Sequence, residues 1–509
     1  MGMHTKRLLF LLHRWLGVVL CAFFAMWFVS GVVMMYVGYP KLTAAERLQH
    51  LPELASDAAL LAPQQALARA GVTGPLKELR LAAASAGRPA YFAVPLGAMP
   101  AKGAKSAPGS GTVVVDALNG ARIAPADEAH AMASAAAYAG PNVGLRYLGT
   151  MEEDALTHSR GLDAHRPLHR VQLDDADATL LYVSGRTAEV VRDAPRTERI
   201  WNYVGAWIHW LYPFRGNIFD RYWTDIVNWL SIAGIAAALS GTIVGIQRWR
   251  LSRTYRSGSR SPYQGFMRWH HISGLLFALI AITWVFSGLM SMNPWRIFDS
   301  GAAPLKMEAL EGGPLQLTAL DAAPAALLSS AGPGTRELRW SRSLGKTVVL
   351  AQAAAGRPML LDSRNAQPFA IDTAALRAAA ARILPQPVQS SELLSAYDLY
   401  YYSRDAHTMT GGATKPLPVW RIAFADAHES WVYIDPHTGT VVARSDHGKR
   451  WSRWLFAMLH SWDWLPLLER RPLWDMVLIV LSLGGALLSV TGVVIGWRRL
   501  GIKLRSVRA

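Results

Sequence analysis

The sequence predicts a mainly α-helical membrane protein: four transmembrane helices arranged as a duplicated two-helix unit, with two α+β segments outside the membrane. Three observations predict it. Residues 16–37, 226–247, 272–292 and 476–497 carry no charge, and each matches the roughly 20 residues that span a hydrocarbon core. HRWLGVVLCAFFAMWFVSG at 13–31 returns as HHISGLLFALIAITWVFSG at 270–288, pairing His13 with His270, Gly17 with Gly274, Trp27 with Trp284 and Ser30-Gly31 with Ser287-Gly288. Basic residues stand free of acidic ones at three places.

Those places set the orientation. Lys6, Arg7 and Arg14 precede the first apolar stretch. Arg248, Arg250, Arg253, Arg256, Arg260 and Arg268 lie between the second and third, and Arg498, Arg499, Lys503, Arg505 and Arg508 follow the fourth. No acidic residue falls among these fourteen, and the remaining 38 basic residues face 36 acidic ones. The positive-inside rule then puts both termini and the 248–269 connection in the cytoplasm of a bacterial inner membrane. The net charge of +16 reports topology and anionic lipid, not nucleic acid.

The elements follow in order. Residues 1–39 hold the first span, too long in its apolar part and lacking a small-residue cleavage site for a removed signal peptide. Residues 40–200 form the first outer segment, and 201–250 an interfacial helix with the second span. Residues 251–267 are a basic cytoplasmic loop and 268–295 the third span. Residues 296–450 form the second outer segment, and 451–509 an interfacial helix, the fourth span and the tail. Alanine-rich 57–70 and 373–383 read as helices. PLHRVQLDDADATLLYVSGRTAEVV from Pro167 and WVYIDPHTGTVVARS from Trp431 alternate apolar and polar residues and read as antiparallel strands. Residues 101–112 read as an exposed loop.

The second and fourth spans repeat as well. Ser231, Gly234, Ser240-Gly241 and Gly245 match Ser482, Gly485, Thr491-Gly492 and Gly496, and His209 and His460 each stand 32 residues before the matched Gly241 and Gly492. Four histidines thus sit at membrane edges: His13 and His270 on the cytoplasmic side, His209 and His460 on the outer side. At 100° per residue His13, Gly17, Trp27 and Gly31 share one helix stripe, where glycine admits a flat group or another backbone. Two imidazoles at each surface match the axial ligands of two iron porphyrins. Register with His13 selects His270 as ligand, with His271 the alternative if the helix is rotated. Helix packing and interfacial aromatic belts account for glycine stripes and tryptophans without any cofactor.

The lone Cys21 excludes an intramolecular disulfide, a dithiol relay, cysteine-ligated iron–sulfur clusters and covalently attached haem. His158, His165, His169 and His407 are irregularly spaced candidates for metal contact, and YDLYYYSRDAH at 397–407 is a candidate docking surface whose plainer reading is an amphipathic strand.

HRWLG at 13–17, RWHHISG at 268–274, the Ser-Gly and Thr-Gly helix centres, WVYIDPHTGTVV at 431–442, and His460 with Trp497-Arg498-Arg499 together resemble the PepSY-associated transmembrane family. The resemblance, to members such as ferric-siderophore reductases, implies two b-type haems held by His13, His209, His270 and His460. It implies PepSY-like outer domains around 141–195 and 390–445, with an Asp-Pro-x-Thr-Gly turn at Asp435–Gly439 that Val183–Thr187 replaces in the first half. The expected activity is a ferric-chelate reductase that passes electrons from a cytoplasmic or quinol donor to a periplasmic ferric siderophore. A haem-free, membrane-anchored regulator of a periplasmic peptidase is the alternative. A transporter built on repeats fits less well, because both copies enter the membrane in the same direction.

Overall fold

The N-terminal helix runs unbroken from Met3 to Met34 in the computed structural model, which describes residues 3–97, 111–404 and 415–508. Two further helices, Trp223–Arg248 (the central helix) and Leu473–Arg508 (the C-terminal helix), are also long and apolar enough to cross a membrane. The third apolar stretch departs from expectation. It forms two helices, Gly265–Leu276 and Ala278–Ser291, bent by 67°. At the break Phe277 leaves helical geometry (φ −105°, ψ 10°), and its ring lies against Gly484 so closely that a Cβ there would be 2.1 Å away. An uncharged stretch reports apolarity, not continuity, so four unbroken spans is corrected to three plus one bent pair among the described residues.

The four bundle elements meet through glycine. Phe28 of the N-terminal helix fills the space over Gly485 of the C-terminal helix, where a Cβ would approach its ring within 2.3 Å. At the duplicated position, Val285 of the bent pair packs over Gly234 of the central helix, where a Cβ would lie 3.0 Å from its methyl group. Small residues allow such backbone approach without help from a hydrophobic effect between helices.

The expectation of a mainly α protein is also overturned. About 43% of the chain is helix and 20% strand, and the strands among the described residues form three sheets. In the first outer segment, β1 (Leu76–Ser85), β2 (Arg88–Pro95) and β3 (Val113–Asp116) pair in antiparallel order, and β4 (Gly144–Met151), β5 (Leu168–Asp174), β6 (Leu180–Ser184) and β7 (Val190–Ala194) make a separate meander. The second segment repeats this with β8 (Thr335–Ser343), β9 (Lys346–Ala353) and β10 (Met359–Asp362), then β11 (Val388–Leu394), β12 (Val419–Phe424), β13 (Trp431–Ile434) and β14 (Val441–Ser445). The two three-stranded pieces are not independent. β1 pairs with β8, Arg80 opposite Arg339 and Leu81 opposite Leu338, giving one six-stranded sheet shared by both halves.

One face of that sheet carries the largest core. Leu79, Leu81, Tyr91, Leu338 and Trp340 are buried there with Leu67, Leu327 and Leu328, the last three from helices at Pro63–Arg69 and Pro324–Ala331. Period-two alternation on β1 and β8 turns these side chains to one face and the arginines to the other.

The turn between β6 and β7 shows how the two halves keep one geometry with different residues. Between β13 and β14, Asp435 Oδ1 accepts the His437 N–H at 2.9 Å, Thr438 donates to Oδ2, and Gly439 adopts φ +69°. In the first half Ser184 stands in for the aspartate, its Oγ accepting the Arg186 and Thr187 N–H groups at 3.2 and 3.1 Å, and Ala188 takes the glycine's place at φ +58°. The matching stretch is therefore Ser184–Ala188, one residue later than Val183–Thr187. Of the candidate loop at 101–112, residues 101–110 lie outside the described residues.

Candidate functional site

Each outer histidine is delivered by an irregular turn that occurs twice. A π-helix at Tyr203–Trp207 precedes His209, and another at Arg453–Met458 precedes His460. Such widened turns re-aim side chains and concentrate at functional sites. Two residues after each histidine the backbone turns left-handed, at Leu211 (φ 55°) and Trp462 (φ 47°), a costly conformation for side chains of this size. Indoles hold both turns: Trp223 Nε1 donates to the Trp210 carbonyl at 2.8 Å, and Trp474 Nε1 to the Ser461 carbonyl at 3.0 Å.

The histidines come together in two pairs, each taking one member from each half. His13 faces His270 with ring centres 6.3 Å apart, and His209 faces His460 at 6.1 Å. The pairs stand at opposite ends of the bundle. Ser30, which contacts His209, is seventeen residues along the N-terminal helix from His13, about 25 Å at 1.5 Å per residue.

The proton positions follow from the partners. His13 Nδ1 lies 3.1 Å from the Ala237 carbonyl, and His270 Nδ1 lies 3.0 Å from the Leu488 carbonyl. A carbonyl only accepts, so each Nδ1 carries the hydrogen. Ser30 Oγ gives its own proton to the Met26 carbonyl at 2.7 Å, which leaves it to accept from His209 Nδ1 at 2.9 Å. His460 Nδ1 reaches Ser287 Oγ at 3.0 Å and the Trp284 carbonyl at 3.2 Å. All four imidazoles therefore hold the lone pair on Nε2, the tautomer that ligates a metal while its other nitrogen donates to a fixed partner.

His271 differs. It is buried, its Nε2 donates to the Gly245 carbonyl at 2.9 Å, and its Nδ1 accepts from Ser261 Oγ at 2.7 Å. With both nitrogens used it has no ligating lone pair, and it joins the bent pair to the central helix.

Each couple offers two imidazoles, the donor set a b-type haem would take. Metal–nitrogen bonds of about 2 Å, with about 1 Å more from nitrogen to ring centre, would allow one metal ion between two imidazoles at these spacings. Gly241 and Gly492 make room for the inner pair. A Cβ at Gly241 would meet His13 Cε1 at 2.4 Å, and one at Gly492 would meet His270 Cε1 at 3.2 Å. A Cβ at Gly17 would meet nothing closer than Cys21 Sγ at 3.9 Å, so this stretch of the stripe is open. The matched spacing of the histidines was visible in the sequence. The carbonyls of Ala237 and Leu488 were not, because no side-chain identity marks a backbone acceptor. Ser30 and Ser287 were visible as repeats without a role.

The candidates His158, His165 and His169 lie apart from the four paired histidines and have hydrogen-bond partners within the outer segment. His165 Nδ1 contacts Ser184 Oγ at 3.1 Å, His169 bridges Tyr147 and the Ala126 carbonyl, and His158 contacts Glu153. Among the described residues no group of three or more His, Cys, Asp or Glu is arranged to hold a metal ion. In 397–404, Tyr401 stacks on Tyr433 and Arg453 lies over Tyr402; His407 lies outside the described residues.

A membrane-embedded helical bundle made of two copies of one unit, each carrying an outer α+β segment, is the class these features define. The profile of the PepSY-associated TM region family matches residues 10–499, and the chain belongs to that family. No curated protein matches the chain.

Proposed function

We propose that the protein is a di-haem b oxidoreductase of the bacterial inner membrane that passes electrons to a ferric siderophore or another ferric chelate in the periplasm, releasing iron as Fe²⁺. The observation that carries this reading is the two histidine couples, ring centres 6.3 and 6.1 Å apart, in which each Nδ1 has a fixed hydrogen-bond partner. Haem, when bound, supplies a one-electron ferric/ferrous couple. His13 and His270 would hold one haem at one end of the bundle, and His209 and His460 the other. The carbonyls of Ala237, Leu488 and Trp284 and the hydroxyls of Ser30 and Ser287 hold those imidazoles in tautomer and orientation, which raises ligand basicity. The fourteen basic residues support a cytoplasmic position for the end that carries His13 and His270. The donor would be cytoplasmic or a quinol, since no flavin or nicotinamide fingerprint occurs in the sequence. The acceptor gains one electron, Fe³⁺ becoming Fe²⁺, which hard oxygen ligands hold less tightly.

Protein purified from haem-replete cells is expected to be red and to give a b-type spectrum on dithionite reduction. The pre-reduced protein should be reoxidised by ferric chelates faster than free haem is. A colourless preparation favours the haem-free regulator, and reoxidation no faster than free haem removes the reductase role.

A further inference from the structure

Where the two halves share their sheet, β1 and β8 set Arg80 directly opposite Arg339. Like charges directly opposed across an antiparallel pair are unfavourable, so something must compensate them. Glu337 is fully buried and takes Arg47 at 2.7 Å, Arg339 at 3.2 Å and Arg80 at 3.7 Å, while Glu189 from the loop before β7 takes Arg80 at 2.5 Å. Burial alone would push both carboxyls up, yet the arginines outweigh it and hold Glu337 and Glu189 below the usual range. Both are therefore anionic.

Three guanidiniums thus meet two carboxylates, with Glu78 only at the rim, 4.0 Å from Arg339. The balance in hydrogen bonds is more uneven than the balance in charge. Arg47 Nη1, Arg80 Nη1 and Arg339 Nε are buried and have no hydrogen-bond acceptor. Guanidinium has only donors to offer, and a buried donor without an acceptor is rare in a folded protein. The three arginines themselves line a cleft of about 310 Å³, together with His165 and Leu162. That volume lies in the range of small-molecule sites and exceeds what a few bridging waters occupy.

We propose that this cleft binds a small oxyanion, a polycarboxylate or a phosphate-bearing molecule, whose oxygens accept from Arg47, Arg80 and Arg339. Planar guanidinium forks match carboxylate and phosphate oxygens in pairs, which a single ammonium does not. The ligand would sit between the shared sheet and the first meander, where the Glu189 carboxylate of the meander is already taken up by Arg80. The site holds whether or not haem binds elsewhere in the chain.

The full-length protein in detergent would be titrated calorimetrically with citrate and with inorganic phosphate, against sodium chloride at equal ionic strength. Saturable binding near one per chain is expected for citrate, for phosphate or for both, with chloride inert. Citrate alone identifies the polycarboxylate source, and binding of both identifies a general oxyanion site. Arg47→Gln and Arg339→Gln should each weaken binding about tenfold or more, the loss expected for a charge-assisted hydrogen bond. Arg339 is the more exposed of the two, with 42% of its side chain accessible, so its variant keeps the test open if Arg47→Gln folds poorly. No saturable binding of either anion overturns the proposal, as does binding that both variants leave unchanged.

Discussion

The two halves of the bundle match in the register of their histidines and diverge in what supports them. In the first half the N-terminal helix is continuous, Trp27 Nε1 donates to the His209 carbonyl at 2.9 Å, and Asn202 lies buried seven residues before His209. In the second half the corresponding helix is bent at Phe277, Trp284 Nε1 is buried without a partner, and Arg453 replaces the asparagine. Arg453 forms a buried ion pair with Asp463 at 2.8 Å, where the first half has Tyr212. What the copies retain are the residues that set the imidazoles: matched glycines, serines and π-turns. The surrounding scaffold has drifted, which separates the demands of the paired site from those of packing.

The largest contrast lies in the buried charges. Replacing Asp463 by Ala leaves Arg453 and Arg404 inside without their carboxylate, and loss of one partner from such a pair costs about 3–5 kcal/mol. Asn202→Leu at the matching place in the first half should cost far less, because neither of its amide atoms has a hydrogen-bond partner. Unfolding in detergent would read both, and equal losses would break the comparison.

Next come the glycines beneath the inner pair. Gly241→Ala puts a Cβ 2.4 Å from His13 Cε1, while Gly492→Ala meets Cys21 Sγ at 2.4 Å and His270 only at 3.2 Å. Both overpack the bundle by about 1–3 kcal/mol. The Gly241 variant should displace an imidazole more than the Gly492 variant does, seen as a larger loss of bound haem at equal stability.

A smaller difference separates the tryptophans. Trp27→Phe removes a hydrogen bond and leaves the His209 carbonyl without it, a cost of about 1 kcal/mol. Trp284→Phe removes a buried donor that has no acceptor, so stability should hold or rise. Melting temperatures of the two variants give the sign directly.

The smallest effect is a pH dependence set by one carboxyl of the first half. Burial, then Asp193 and Glu46, raise the Glu198 carboxyl from 4.5 to about 7. A raised acid binds its proton more tightly folded than unfolded, so its contribution is full below about pH 4.5 and is lost as pH rises through about 7. Glu198→Gln should flatten that part of the stability profile. An unchanged slope would remove Glu198 as its source.

The sequence carried some of this molecule and not the rest, for reasons particular residues make plain. The paired histidines, the β5–β7 hairpins and the helices near 63–69 and 373–380 were legible, because each rests on local spacing. The pairing of β1 with β8 was not, since strands 259 residues apart leave no local trace of their partner. Apolarity dominated the reading of fold class, so the strand-rich outer segments were underweighted and the bend at Phe277 was missed; no Pro marks it. Ser184 hid its likeness to Asp435 because a hydroxyl accepts the same backbone hydrogens as a carboxylate. The choice between His270 and His271 needed their partners: a carbonyl against one Nδ1, and acceptor and donor on both sides of the other.

Haem stoichiometry in single-histidine variants tests the central claim most directly. Purified wild-type protein should carry two b-type haems per chain by pyridine haemochrome. Alanine at 13 or 270, and at 209 or 460, should each remove about one, while His271→Ala keeps both. Full haem content in the His13 and His209 variants, or none in the wild type, would contradict the account.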